Sequence, residues 1–177
     1  MNICVYGAAS NTIHEEYLRA GEELGALMAE RGHRLVFGGG ANGLMGAVAR
    51  GVYAAGGEIV SIVPSFFNVD GVLFAHCNEL VYTETMRERK RIMEERADAF
   101  VVTPGGVGTY DEFFEIFTLL TLGRHQKPIA ILNTRGYYNE MCAMLEKTER
   151  EGFMTAQKRE MVRFFDDPAS LLDYLAE

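Results

Sequence analysis

Five residues in one short stretch carry groups suited to holding and cleaving a phosphorylated ligand: Gly105, Gly106, Gly108, Thr109 and Glu112 of PGGVGTYDE, residues 104–112. Glycines without Cβ atoms let backbone N–H groups close on an anion, and a helix starting directly behind them adds unpaired amides and its positive dipole end. The stretch Gly105–Thr109, with Val107 inside it, is therefore expected to cradle a phosphate. A purely structural role competes with this one. Thr109 and Glu112 have the T-x-x-E spacing of a capping box, although a cap needs one special backbone position and this loop has three glycines.

A second set of chemically capable residues lies upstream in MRERKRIMEERA, residues 86–97. Met86, Met93 and Ala97 mark an inward stripe at helical spacing, and Arg89 and Lys90 take up positions within it where apolar side chains are expected. The planar fork of Arg89 suits bidentate contact with phosphate or carboxylate. A solvated helix face with Arg91–Glu95 and Lys90–Glu94 pairs, each worth about 0.2–0.5 kcal/mol, accounts for the other charges but leaves Arg89 unexplained. Gly38, Gly40 and Gly43 form G-x-G-x-x-G with Glu58 twenty residues on, which reads literally as a dinucleotide fingerprint. Glu58 opens its strand, however, whereas a ribose-reading carboxylate stands at the strand's carboxyl end. Gly43 and Gly46 then serve close helix packing instead.

The elements that must position these groups alternate short apolar runs with amphipathic segments. Strands are expected at Asn2 to Tyr6, Arg34 to Phe37, Glu58 to Val63, Glu79 to Tyr82, Ala99 to Thr103 and Pro128 to Leu132, with a short seventh at Met161 to Phe164. Helices are expected near Ile13 to Arg31, Gly43 to Ala55, Met86 to Ala97, Tyr110 to Leu122, Tyr137 to Glu151 and Pro168 to Ala176. The pattern predicts a three-layer αβα, Rossmann-like domain with a mostly parallel six- or seven-stranded sheet, one domain over residues 1–177. Ligands bind such sheets at the carboxyl ends of the strands, which singles out GAASN at 7–11, GGGANG at 38–43 and PGGVGT at 104–109. Helix 110–122 is apolar nearly all round, so a homodimer interface is expected on it.

Composition narrows the classes. Apolar residues are 48% of 177 and no uninterrupted apolar run reaches membrane-spanning length. NICVYG at the start reads as a strand rather than a secretion signal, so a cytoplasmic protein with no membrane partner is expected. A net charge of −8 argues against general nucleic-acid binding. Cys4, Cys77 and Cys142 and the four scattered histidines lack metal-ligand spacing, and no metal or cofactor is expected.

The combination resembles the LOG ("lonely guy") proteins, cytokinin riboside 5'-monophosphate phosphoribohydrolases, also catalogued as lysine decarboxylase-like. The likeness runs from ICVYG through GGGANGLMG, MRERK, PGGVGTYDE and LGRHQKP to NTRGYY and EGF. It rests most specifically on PGGxGTxxE at 104–112, preceded by the Arg89–Lys90 pair. This resemblance implies a dimer that hydrolyses the N-glycosidic bond of a nucleoside 5'-monophosphate, AMP or a cytokinin nucleotide, to free base and ribose 5-phosphate. By position it implies Arg89 and Glu112 as the catalytic pair; on physical grounds Arg89 is expected to hold phosphate or ribose hydroxyls and to keep Glu112 ionised. Gly105, Gly106, Val107, Gly108 and Thr109 would hold the phosphate. Met86, Lys90 and Thr118, with Gly39 and Gly43 of the second glycine loop, would complete the substrate site. This chain departs from the family pattern at Arg87, where a His is common, at Val107, and in the loop 65–78, where Gly71 with Asp70 beside it replaces an acidic substrate contact. The same fold resembles molybdenum-cofactor carriers, a non-enzymatic alternative that a phosphate cradle fits equally and an Arg89–Glu112 pair does not.

Overall fold

A computed structural model describes residues 1–67 and 71–177. Seven strands form one fully parallel sheet: β1 (Asn2–Tyr6), β2 (Arg34–Phe37), β3 (Ile59–Pro64), β4 (Glu79–Thr83), β5 (Ala99–Val102), β6 (Ile129–Leu132) and β7 (Val162–Phe165). Their spatial order is β4-β3-β2-β1-β5-β6-β7. The chain thus builds outward from β1 to one edge, returns to lay β5 against β1, and builds outward to the other edge. The sheet is the one expected, with strand ends shifted by a residue or so.

Parallel strands buried on both faces read as continuous apolar runs, and β1 shows how the alternation divides the core. Ile3 and Val5 face a layer formed by α1 (Glu15–Glu30), α2 (Gly43–Ala54) and α7 (Pro168–Leu175). Cys4 and Tyr6 face the opposite layer, built from α3 (Met86–Arg96), α4 (Val107–Thr121) and α5 (Asn139–Arg150). A one-turn helix, α6 (Ala156–Arg159), and two 3-10 turns, Ser65–Phe67 and Thr134–Gly136, complete the described elements; none of the three carries enough periodic residues to announce itself in sequence. Among the described residues no helix is long and apolar enough to cross a membrane.

α1 and α2 touch backbone to backbone. A Cβ on Gly25 would lie 2.1 Å from the Val48 carbonyl oxygen, and one on Gly51 2.1 Å from that of Glu22. The contact also fixes where α2 begins, at Gly43, against the loop that follows β1. Gly25→Ala is therefore expected to lower the unfolding free energy by about 2 kcal/mol through overpacking; urea unfolding should show a lower midpoint at unchanged slope.

Candidate active site

β1 and β5 pair side by side, Tyr6 against Val102, and the strand order runs away from them in both directions. Chains leaving their carboxyl ends must diverge, which opens a crevice at that point. The loops walling it are tied together: Ala8 N–H donates to the Pro104 carbonyl (3.1 Å), and Thr103 donates both its N–H and its hydroxyl to Tyr6 O (2.8 Å each). Between the loops and α3 lies a cavity of about 420 Å³, within the range of small-molecule sites.

One wall is the start of α4. The helix begins at Val107, three residues before the expected start, with Gly106 as its N-cap and no side chain capping it. The Thr109–Glu112 capping box is accordingly not formed. Those residues lie inside the helix, because the glycines let the chain turn into α4 early. Gly105 is needed to make room for Thr109, whose Oγ1 would be 2.1 Å from a Cβ there. Cβ atoms on Gly106 and Gly108 would meet nothing within 4 Å. Uncapped first-turn amides thus sit at the cavity wall with open space before two of the glycines, which suits an anion.

The opposite wall is α3, whose own T-x-x-E sequence does cap: Thr85 Oγ1 accepts from Glu88 N–H (3.1 Å), and Glu88 accepts from Glu84 N–H (2.8 Å). So fixed, α3 buries Arg89, 6% exposed, with its guanidinium lying over Gly38, where a Cβ would be 1.7 Å from Nη2. Arg89 Nη2 stands 3.8 Å from Glu112 Oε1, close for charge attraction but beyond a direct hydrogen bond. Among the described residues, Arg89 Nε is buried without an acceptor, and Nη1 reaches only Met86 Sδ at 3.7 Å. A buried guanidinium with uncommitted donors destabilises the fold unless a ligand takes them up.

Burial pushes the Glu112 carboxyl up to about 7; Arg89 pulls against that shift, Asp111 adds to it, Lys90 opposes it and Glu115 adds a little more. The expectation that Arg89 keeps Glu112 ionised is thus corrected: desolvation outweighs the guanidinium, and the carboxyl is poised to exchange a proton near neutrality. Lys90 does not form the pair with Glu94 that a solvated helix face would give. It reaches across to α4, bonding Asp111 Oδ2 at 2.9 Å and Glu115. Burial lowers its affinity for a proton, and the bonds to Glu115 and Asp111 more than reverse this, leaving its pKa raised.

Of the residues singled out in the sequence, Met86, Arg89, Lys90, Gly106, Gly108, Thr109 and Glu112 converge on the cavity. The others stand apart from its lining. Gly105 faces a smaller adjoining cavity, Val107 is 86% exposed, and Thr118 lies on the outer face of α4. Gly39, at φ +78°, packs against Val63, its carbonyl accepting from Phe74 N–H (2.8 Å). Gly43, at φ +61°, sits against the backbone of Ala8–Ser10 and donates to Asn11 Oδ1 (2.8 Å), so it shapes the lining from behind. Glu58 pairs with Arg34 (3.0 Å) at the amino end of the sheet, away from the cavity. Asp70 lies outside the described residues, whereas Gly71 is described and sits in an exposed turn. Sequence reasoning did not single out Met45, Phe67 and Asp111, nor the individual residues Gly7–Ser10, all of which line the cavity. The small-residue run after β1 was the one available signal; Met45 and Phe67 have no local signature.

The architecture puts the chain among Rossmann-like, three-layer α/β proteins with a ligand crevice at the switch point. Its fold is similar to that of the molybdenum cofactor carrier protein of Chlamydomonas reinhardtii, with a TM-score of 0.72 at 23% identity, covering 99% of this chain and 95% of that one. That likeness is one of fold. At the level of sequence, the family model described as "possible lysine decarboxylase" matches residues 45–175. The cytokinin riboside 5'-monophosphate phosphoribohydrolase of Mycobacterium tuberculosis is 43% identical over 162 residues, covering 90% of this chain and 86% of that protein. An Arabidopsis thaliana protein of the same name is 33% identical over 175 residues, 99% of this chain and 82% of its own length. The chain belongs to this LOG family.

Because the folded-state pKa of Glu112 lies above the ordinary carboxyl value of 4.5, the folded protein holds that proton more tightly than the unfolded chain does. Stability contributed by the neutral carboxyl is full below about 4.5 and is lost as pH rises through about 7. Glu112→Gln removes the titration. Its melting temperature relative to wild type should rise between pH 5 and pH 8, reflecting a gain of about 3 kcal/mol at most. A pH-independent difference in thermal denaturation would contradict the burial argument.

Proposed function

We propose that the chain is a single hydrolase domain that cleaves the N-glycosidic bond of a nucleoside 5'-monophosphate, AMP or a cytokinin riboside 5'-monophosphate, releasing free base and ribose 5-phosphate in the cytoplasm. The observation that carries this reading is the buried pair of Glu112 and Arg89, 3.8 Å apart, facing the uncapped start of α4 across one cavity.

The phosphate is held by the α4 amides around Gly106–Thr109, and the ribose is thereby set against Glu112. As the bond to the base breaks, positive charge grows on the anomeric carbon, and a nearby carboxylate stabilises it. Water adds to that carbon and gives up a proton, for which a carboxylate of pKa about 7 is a suitable acceptor at neutral pH. The departing base leaves with a proton. Arg89 supplies free donors for the ribose hydroxyls and keeps charge of the right sign beside Glu112. Met45, Phe67 and Met86 give the cavity an apolar portion for the base. Binding energy gained at the phosphate is in this way used at the reacting carbon.

The decarboxylase description of the family fits these residues poorly. A Schiff-base lysine works by losing its proton readily, whereas Lys90, the lysine that lines the cavity, is locked to Asp111 and Glu115 and holds its proton more firmly than usual. A carrier role leaves the Arg89–Glu112 pair without a task.

The homodimer belongs to the same proposal. Phe114, Thr118 and the C-cap residue Leu122 recur every four residues along the outer side of α4 and its end; Phe114 is 37% and Leu122 64% exposed. A second copy covering this stripe would bring Thr118 into a buried setting beside the site.

Incubation with AMP and isopentenyladenosine monophosphate should yield free base and ribose 5-phosphate, with kcat/KM rising as pH climbs through about 7 while Glu112 ionises. Glu112→Gln or Arg89→Ala should reduce turnover by roughly a hundredfold or more, and adenosine, lacking the phosphate, should react far more slowly than AMP. Tight binding of AMP without any product would favour the carrier. Sedimentation at micromolar concentration should give about twice the 19.7 kDa chain mass; a monomer alone would remove the dimer.

A further inference from the structure

NTRGYY, residues 133–138, lies outside the cavity lining and has no part in the chemistry above. It is nevertheless built on unfavourable backbone. Arg135 has φ 59° and ψ 20°, a left-handed conformation found at no other non-glycine among the described residues, and Gly136 follows at φ 68°. Such a residue persists only when its surroundings impose it. The exposed 2.8 Å pair of Arg135 with Glu16 is weak compensation.

What the turn achieves is the aim of two tyrosines. Tyr138, fully buried, donates its hydroxyl to the Thr103 carbonyl at 2.8 Å. Tyr137 donates to the Gly105 carbonyl at 2.6 Å and is held by the edge of Tyr17 from α1, with ring centroids 5.9 Å apart. Beside the glycine loop, a cavity of about 160 Å³ between Tyr17, Pro104, Gly105 and Tyr137, which shares Ala8, Ser10 and Gly106 with the larger one, leaves this part of the chain loosely packed. The Tyr137 hydroxyl is thus a principal tether on the Gly105–Gly106 peptide. That peptide also carries the Gly106 N–H, for which no protein acceptor is found among the described residues. A hydrogen bond donated to a peptide carbonyl polarises the N–H of the same unit.

We propose that Tyr137 is a positioning residue for phosphate recognition, fixing and polarising the Gly105–Gly106 peptide so that its N–H meets the substrate's phosphate. The assignment rests on the nucleotide reading given under Proposed function. Tyr138, whose hydroxyl also meets the Gly105 backbone, supplies a control for polarisation of the Gly106 N–H. Its acceptor, the Thr103 carbonyl, belongs to the peptide bond to Pro104, which has no N–H to polarise.

The test compares Tyr137→Phe and Tyr138→Phe with wild type in three measurements: thermal stability, steady-state kinetics with AMP and adenosine, and binding of AMP and inorganic phosphate by calorimetry. Tyr137→Phe should raise KM for AMP and weaken AMP and phosphate binding by about tenfold. It should change kcat less than KM and narrow the preference for AMP over adenosine by a similar factor. Tyr138→Phe should lower the melting temperature while leaving the phosphate affinity within about twofold of wild type. Unchanged phosphate affinity in Tyr137→Phe would overturn the proposal, as would equal losses with AMP and adenosine, which mark a general structural effect. Calorimetry needs no turnover. A wild type that binds AMP tightly without hydrolysing it would defeat the hydrolase reading and leave Tyr137 tested, and a wild type that binds neither AMP nor phosphate would defeat both.

Discussion

Two opposite charges taken out of water at 3.8 Å, without a direct hydrogen bond between them, set the terms for the rest of this molecule. Moving a carboxylate and a guanidinium out of water is costly, and attraction at that distance offsets only part of it. The shortfall is visible in the Glu112 carboxyl, which is raised to about 7 despite the guanidinium beside it. A fold that tolerates such a pair must hold both side chains rigidly, since either one could otherwise swing into solvent. The architecture supplies that rigidity from both ends of each helix involved.

α3 and α4 are pinned at their amino ends by different means, Thr85 and Glu88 capping the one and the braced glycine loop starting the other. Their carboxyl-terminal halves are joined by LGRHQKP. Lys127 Nζ donates to the Glu94 carbonyl of α3 (2.6 Å), and His125 bonds the Ile116 carbonyl of α4 through Nε2 (2.9 Å). Because Lys127 N–H donates to His125 Nδ1 (3.1 Å), the ring must carry its proton on Nε2 to satisfy both contacts. Lys90 adds a crosslink midway, from α3 to Asp111 and Glu115 of α4. The spacing of Arg89 and Glu112 is therefore a property of a helix pair clamped at three levels.

The sheet, its parallel sense and its helices were legible because buried parallel strands leave runs such as AFVVT that few other structures produce. Arg89 was legible for a related reason, as a charge on a stripe that otherwise faces the core. The T-x-x-E pattern was not, since Thr85–Glu88 caps its helix and Thr109–Glu112 does not, at identical spacing. What separates them is upstream glycine content, which moved the α4 start and turned Thr109 and Glu112 inward. That Lys90 turns to Asp111 and Glu115 was not legible, because helical spacing says nothing about a neighbouring helix that offers two carboxylates. Met45 and Phe67 reach the cavity through tertiary placement alone, and periodicity carries no record of that.

Clamping at three levels also divides the work between two sources of positive charge. If Arg89 were the anchor for a phosphate dianion, the largest favourable charge beside Glu112 would be neutralised, and the carboxyl, already near 7, would stay protonated at physiological pH. A protonated Glu112 has no negative charge to set against a developing cation and cannot accept a proton from water. Under the proposed function the phosphate is better held by groups that carry no formal charge, and the uncapped amides at the start of α4 are such groups. The proposed chemistry thus explains why glycines occupy the first turn of α4 while the buried arginine comes from α3: amide dipoles take the phosphate, and the one buried guanidinium is reserved for the carboxylate and the sugar.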